Sequence, residues 1–153
     1  MEIPDEIKEF IAKKITLENF CLPHFYPEPD TLNDFQIGYK IHGNTGEKIT
    51  GENAGDFRES WYVICSGYSN DPFFIDMNEK NENFPVYFAW HGAGSWHPIK
   101  VSKTISEFGN QLEILKKIEL SDKNVQDKIK EKFDLNNEFW LEVYNEYEEY
   151  EDE

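Results

Sequence analysis

The hydrophobic positions form three short runs in the middle of the chain, and the other predicted elements are arranged around them. The runs span residues 61–64, 73–75 and 86–90, and each is rich in β-branched and aromatic residues. Turn residues separate them, first Ser-Gly, then Asn-Asp-Pro, then a polar stretch from 78 to 85. Apolar runs this short, bounded by turn residues, predict the strands of a meandering antiparallel sheet.

Three further elements are predicted before the sheet. Residues 3–15 form an amphipathic helix, because its apolar side chains recur at helical spacing, namely Ile7, Phe10 and Ile11. Residues 16–29 carry three prolines and predict an extended strap that its aromatic side chains pin to the core. Residues 35–41 alternate apolar and polar positions, which predicts a half-buried strand.

The last third of the chain is predicted to be helical. Thr104 and Glu107 have the spacing of a capping box, and apolar residues continue behind them at intervals of three and four to about Glu119. A shorter helix is expected over 124–133. A final helix begins at about Asn136, where Asn136 or Asn137 caps it.

These elements predict one α+β domain over residues 1–153, with an antiparallel sheet flanked by helices and a helical C-terminal third. The length of 153 residues suits a single domain with a sizeable core. An aromatic content of 16% supplies the large apolar area that such a core needs. No repeat and no second core is apparent in the pattern.

The charge balance narrows the possible partners. There are 31 acids and 15 bases, for a formal charge of −16. A surface this negative repels phosphate backbones and anionic lipids, so nucleic acid and membrane are not expected as partners. It attracts basic proteins, although the same charge also serves solubility.

Cys21 and Cys65 are expected to be buried free thiols, because they lie far apart and beside apolar residues. The chain has no run of about 20 apolar residues that could span a bilayer. It also lacks a basic segment followed by an apolar run at its start, so we expect a cytoplasmic protein.

Candidate catalytic and metal groups give only weak patterns. His91 and His97 with Asp76 do not have the spacing of a recognisable metal site, so no metal and no cofactor is expected. Cys65 lies inside an apolar strand, where a reactive thiolate is disfavoured. We therefore do not expect an enzyme, and a hydrolase that uses His91 with Asp76 remains the weakest hypothesis.

The segment from His91 to Trp96 is expected to be a structural glycine loop. Gly92 and Gly94 lie one residue apart in it, which suggests backbone pressed closely against the Trp96 ring. Hydrogen bonding around this loop is the expected use of His91.

The central part of the chain resembles the SUKH superfamily. The resemblance rests on the order and spacing of several motifs: Phe35 to Tyr39, Trp61 to Ile64, Asp71 to Asp76, Pro85 to Tyr87, His91 to Trp96, and Ser106 to Phe108. It covers about residues 35–112. The N-terminal helix and strap (1–34) match no family pattern. The C-terminal helices span about 104–150, and the last of them, which is acidic and begins at about Asn136, matches no family pattern either. Membership would imply an α+β fold without catalytic residues.

Bacterial members of that superfamily are commonly immunity proteins that neutralise toxins, many of them nucleases. The resemblance therefore implies a non-enzymatic protein that covers a basic toxin with an acidic surface. Candidate contacts are the acids along the chain and one exposed aromatic anchor: Asp71, Asp76, Glu79, Glu82, Trp90, Glu142, Glu146 and Glu149. The alternative is a scaffold or small-ligand-binding regulatory domain, with a groove lined by His91 and Trp96. The toxin's identity and the oligomeric state are left open.

Overall fold

The computed structural model describes residues 3–28, 30–92 and 94–151, without the side chains of 149–151. Four strands form one sheet: β1 (Trp61–Ser66), β2 (Pro72–Asp76), β3 (Val86–Phe88) and β4 (Ile99–Ser102). Their order is β1-β2-β3-β4, and every neighbouring pair is antiparallel. Val63 faces Phe74, which in turn faces Tyr87. This meander confirms the predicted antiparallel sheet.

Four α-helices accompany the sheet: α1 (Asp5–Lys13), α2 (Ile105–Ser121), α3 (Val125–Lys132) and α4 (Glu138–Glu151). The Thr104 side chain accepts a hydrogen bond from the Glu107 backbone N–H, as the capping box predicts. Asn137, not Asn136, caps α4 by accepting from the backbone N–H groups of Phe139 and Trp140. The α+β class and the helical C-terminal third are thus confirmed.

The two faces of the sheet are covered differently, because alternate strand residues point to opposite sides. One face holds the main core, to which Phe73, Ile75 and Phe88 contribute together with α1, α2 and α4. The other face carries a smaller cluster built on four buried residues, namely Phe57, Val63, Phe74 and Ala89. Loop aromatics pack against this second cluster, and it supports the candidate site described below.

The predicted strand over 35–41 is wrong. Asp34–Gln36 forms a 3₁₀ turn, and the strand-like pairing that does occur is limited to isolated bridges at Ile37 and Ile41. The burial is also the reverse of the expectation, because Gln36 is 3% exposed and Ile37 is 50% exposed. The buried Gln36 amide bonds the backbone of β1, and that bonding turns the polar position inward.

The sequence pattern predicts no strand between Trp96 and the following helix, whereas β4 lies there. Its outer edge is covered by the start of α4. Asn137 Nδ2 donates to the Lys100 carbonyl at 2.8 Å, and the Trp140 indole donates to the Val101 carbonyl at 2.9 Å. These bonds satisfy backbone groups that an edge strand would otherwise leave open.

Both cysteines are free and buried, as expected. Complete burial raises the pKa of the Cys65 thiol well above its ordinary value. Among the described residues, none of the helices combines the length and the apolar character needed to cross a bilayer.

Candidate functional site

The loops at one end of the sheet enclose an open groove of about 640 Å³. Four loop segments that lie far apart in sequence line it. We call it the loop groove and define it by its lining residues: Phe25, Asp34, Phe35, Ile37, Gly38, Tyr39, Ser66, Ser69, Asn70, His91 and Trp96.

Backbone and side-chain hydrogen bonds hold these segments together. Phe25 and Ser66 exchange two backbone hydrogen bonds of 3.0 Å, which pairs the strap with the end of β1. The Tyr39 hydroxyl donates to the Asn70 carbonyl at 2.5 Å. Burial is the main cause that raises the pKa of Tyr39 to about 12, so this phenol stays a donor at neutral pH.

Aromatic rings in edge-on contact support the loop groove at Trp96. The Trp96 ring meets Tyr39 edge-on at 6.2 Å between centroids and Phe57 at 5.5 Å. The Trp96 backbone N–H donates to the Gly55 carbonyl at 2.8 Å. The fully buried Phe57 belongs to the second core cluster, so the sheet itself fixes the position of Trp96.

The imidazole of His91, which lines the loop groove, is held by the carboxylate of Asp71. Asp71 Oδ1 accepts from the His91 backbone N–H at 2.9 Å and also bonds the ring Nδ1. The Asp71 side chain is 15% exposed, whereas that of His91 is 48% exposed. Asp71 therefore anchors the glycine loop through His91. The other ring nitrogen of His91, Nε2, belongs to a side chain that is half-exposed.

The expected crowding that would require glycine at positions 92 and 94 is not observed at their Cβ positions. A Cβ placed on Gly92 or on Gly94 would meet no other atom within 4 Å. Their φ angles are +87° and +79°, in the region that side chains with a Cβ rarely adopt. The two glycines are thus needed for backbone conformation and not for close packing.

The carboxylates of the predicted interface fall into separate places. Asp76 ends β2 at the opposite end from Asp71, where it accepts from the Asn78 backbone N–H at 2.9 Å. His91 and Asp76 are therefore not brought together as the hydrolase hypothesis requires. Glu79 and Glu82 follow Asp76 in the 3₁₀ segment Met77–Glu82.

Glu79 is the most constrained of these acids. Its carboxylate accepts from the Tyr87 hydroxyl at 2.9 and 3.0 Å. Burial, with added repulsion from Glu82 and Asp76, raises its pKa above the ordinary range, although the Tyr87 bond acts in the other direction. Burial also raises the pKa of Tyr87, and Glu79 adds to that shift.

Two acids of α4 lie against the strap. Glu142, Glu146 and the buried Cys21 thiol each place a ligand atom within 4.8 Å of the others. A thiol and two carboxylates can bind a divalent cation, but acidic groups also gather this closely without one. Proximity alone therefore assigns no metal site. The side chain of Glu149, the third predicted acid of this helix, lies outside the described part.

Trp90, the predicted aromatic anchor, is less exposed than the prediction requires. Trp90 is half-buried, with its ring edge-on to Phe88 at 5.0 Å. Among the strap aromatics, Tyr26 donates to the Ile15 carbonyl, and the Phe20 ring stacks on Tyr68 outside the strap. Phe20 and Phe25 are 47% and 42% exposed. The prolines of the strap predict irregular backbone. They are the one signal in the sequence that could have indicated this exposure.

Comparison with protein-family models, with curated proteins and with solved structures gave no match for this chain. Its function must accordingly be inferred from the groove, the charge and the residues described above.

Proposed function

We propose that this chain is a non-enzymatic binding protein that covers a basic surface of another protein. One observation carries the proposal: no aspartate or glutamate side chain that the structure describes is buried. The formal charge is −16, and the carboxylates of the described residues all remain at least partly exposed to the solvent. A rigid aromatic interior holds this surface in a fixed shape.

Such a surface favours a cationic partner for two physical reasons. Opposite charge accelerates the first encounter, and like charge rejects acidic proteins. A nuclease toxin must present cations to phosphate, and an acidic protein can compete for that surface. The SUKH resemblance therefore makes a bacterial toxin the expected partner. An immunity role would place the chain in the cytoplasm, where such a toxin acts.

The direct test uses the toxin encoded by the neighbouring reading frame. The purified chain should form a stoichiometric complex with it, abolish its activity and protect cells that express it. The association rate should fall as salt is raised, because screening removes the steering. A toxin that remains fully active, with no complex on a sizing column, would contradict the proposal.

The loop groove favours a second candidate, a regulatory domain that binds a small ligand. The groove is concave and is lined by both His91 and Trp96, as that alternative requires. The two candidates differ in their dependence on surface charge. Replacing exposed glutamates outside the groove by glutamine should weaken a toxin complex and leave the binding of a small ligand unchanged.

A further inference from the structure

We propose that the loop groove receives an arginine side chain of the basic partner. This inference rests on the proposed function, because it assigns the part of the surface that makes the central contact. The acids Asp76, Glu79, Glu142 and Glu146 would then contribute to long-range attraction and not to the centre of the interface.

Exposed apolar side chains gather at this groove. Phe25 and Ile37 line it and are 42% and 50% exposed. The neighbouring Phe20 and Tyr68 are stacked on each other, with 6.0 Å between ring centroids, and are 47% and 38% exposed. His24 connects them to Phe25, since its ring lies 3.8 Å from Tyr68 and 4.7 Å from Phe25. Exposed aromatic groups of this kind mark protein-binding surfaces.

The polar groups of the groove suit a cation. Its lining includes the Asp34 carboxylate but no lysine or arginine. Within the described residues, Asp34 has no ion-pair partner. When His91 is neutral, its Nδ1–H donates to the Asp71 carboxylate, so Nε2 is left as an acceptor. A carboxylate and an acceptor nitrogen both match the donors of a guanidinium.

The ring faces distinguish arginine from other cations. Phe25, Phe35, Tyr39 and Trp96 give the groove four aromatic side chains. A planar guanidinium stacks on such rings and still donates from its edge, whereas a lysine ammonium is more strongly hydrated and cannot stack. An aromatic-lined groove with a carboxylate therefore selects arginine over lysine at equal charge.

The acidic segment from Asp76 to Glu82 lacks this combination. Asp76 and Glu79 already accept hydrogen bonds from Asn78 and Tyr87. None of the exposed large hydrophobic side chains lies in the described segment from 76 to 90 that contains them. Without apolar contact area, a charged rim alone contributes little to affinity.

The first test uses two short peptides of equal charge as probes: acetyl-Gly-Arg-Gly-Arg-Gly-amide and the same peptide with lysine. Nuclear magnetic resonance of the isotope-labelled chain should show shifts at Gly38, Ser69, Asn70 and the Trp96 indole. The arginine peptide should bind about threefold more tightly or better, because only guanidinium stacks. Equal affinities, shifts centred on Met77–Glu82, or no binding would each overturn the inference.

The second test uses matched variants in the toxin complex. Phe25→Ala and Asp34→Asn should each weaken binding by about tenfold, as expected for residues at an interface centre. The controls Leu120→Ala and Glu131→Gln remove an exposed apolar group and an exposed charge elsewhere, and should leave the affinity within about twofold. Unchanged thermal melting would show that all four variants are folded.

The two proposals fail in different ways. If the wild-type chain binds the toxin and the groove variants bind as well as the controls, the loop groove is not the arginine site, and the proposed function stands. If the wild-type chain does not bind the toxin, the proposed function fails. The peptide measurement then decides about the groove by itself.

Discussion

The Gln36 side chain bonds both backbone polar groups of Val63. The Val63 N–H donates to Gln36 Oε1 at 2.8 Å, and Gln36 Nε2 donates to the Val63 carbonyl at 2.8 Å. The side-chain amide thus takes the place of a neighbouring strand along the outer edge of β1. Because Asn137 and Trp140 cover the β4 edge in a similar way, both outer strands have occupied backbone groups.

Replacing Gln36 by leucine should destabilise the fold by about 2–4 kcal/mol, because the buried N–H and C=O of Val63 would lose their partners. Urea unfolding followed by tryptophan fluorescence would measure the loss. Gln126→Leu is the matched control, since within the described part of the chain that side chain makes one bond, to the Tyr144 carbonyl. Its expected cost is about 1 kcal/mol. If the two variants lose the same unfolding free energy, the Val63 contact contributes no more than a single hydrogen bond does.

Asn137→Ala should cost about 1–2 kcal/mol, because the side chain caps α4 and also bonds the Lys100 carbonyl. The adjacent Asn136 is exposed, and it is its backbone N–H, not its side chain, that donates to the Asp134 carboxylate. Asn136→Ala should therefore stay within about 0.5 kcal/mol of wild type. Thermal unfolding of both variants tests the difference, and a larger effect at Asn136 would refute the assigned cap.

Alanine at Gly55 should be more damaging than alanine at Gly92, although the two φ angles are +86° and +87°. At Gly92 only the backbone strain is added, about 1 kcal/mol. At Gly55 the new Cβ would also lie 2.7 Å from the Ser95 Cβ, next to Trp96. The midpoints of urea unfolding rank the two variants by stability. The Trp96 emission should shift only in the Gly55 variant. Equal midpoints would show that the backbone around Ser95 moves to accommodate the new Cβ without loss of stability.

Glu79→Gln should raise the melting temperature slightly at pH 7. The folded-state pKa of Glu79 lies above its ordinary value of 4.5, chiefly because of burial, so the ionised form disfavours folding. The stability that neutral Glu79 contributes is fully present below its unfolded-state pKa. It is lost as the pH rises through its folded-state pKa. The advantage of glutamine should therefore vanish at about pH 3.5.

The control for that experiment is Glu131→Gln, which removes one negative charge from an exposed position on α3. Its effect at pH 7 measures the general benefit of lowering the net charge. If both variants gain equally, the environment of Glu79 makes no contribution of its own.

The elements with strong local patterns could be predicted from the sequence. β1, β2 and β3 are apolar runs bounded by turn residues, and the start of α2 follows from Thr104 and Glu107. Local propensity and burial act in the same direction there, so no tertiary knowledge is needed.

The errors arise where a distant contact decides the local structure. Apolar and polar residues alternate over 35–41, as is typical of a strand. The Gln36 side chain is nevertheless buried, because its amide bonds the backbone of Val63. β4 has four residues, and only Ile99 and Val101 are apolar, which is too short a pattern to recognise. The loop groove unites segments around positions 25, 37, 69 and 94, whose proximity no local signal contains.

A groove built from four separate loops can be altered one loop at a time. Phe25 and Ile37 belong to neither hydrophobic cluster, so new side chains at these positions would leave the interior intact. The fold can consequently stay the same while the side chains that line the groove change. If the loop groove is the proposed arginine site, its specificity can therefore change without disturbing the packing of the interior.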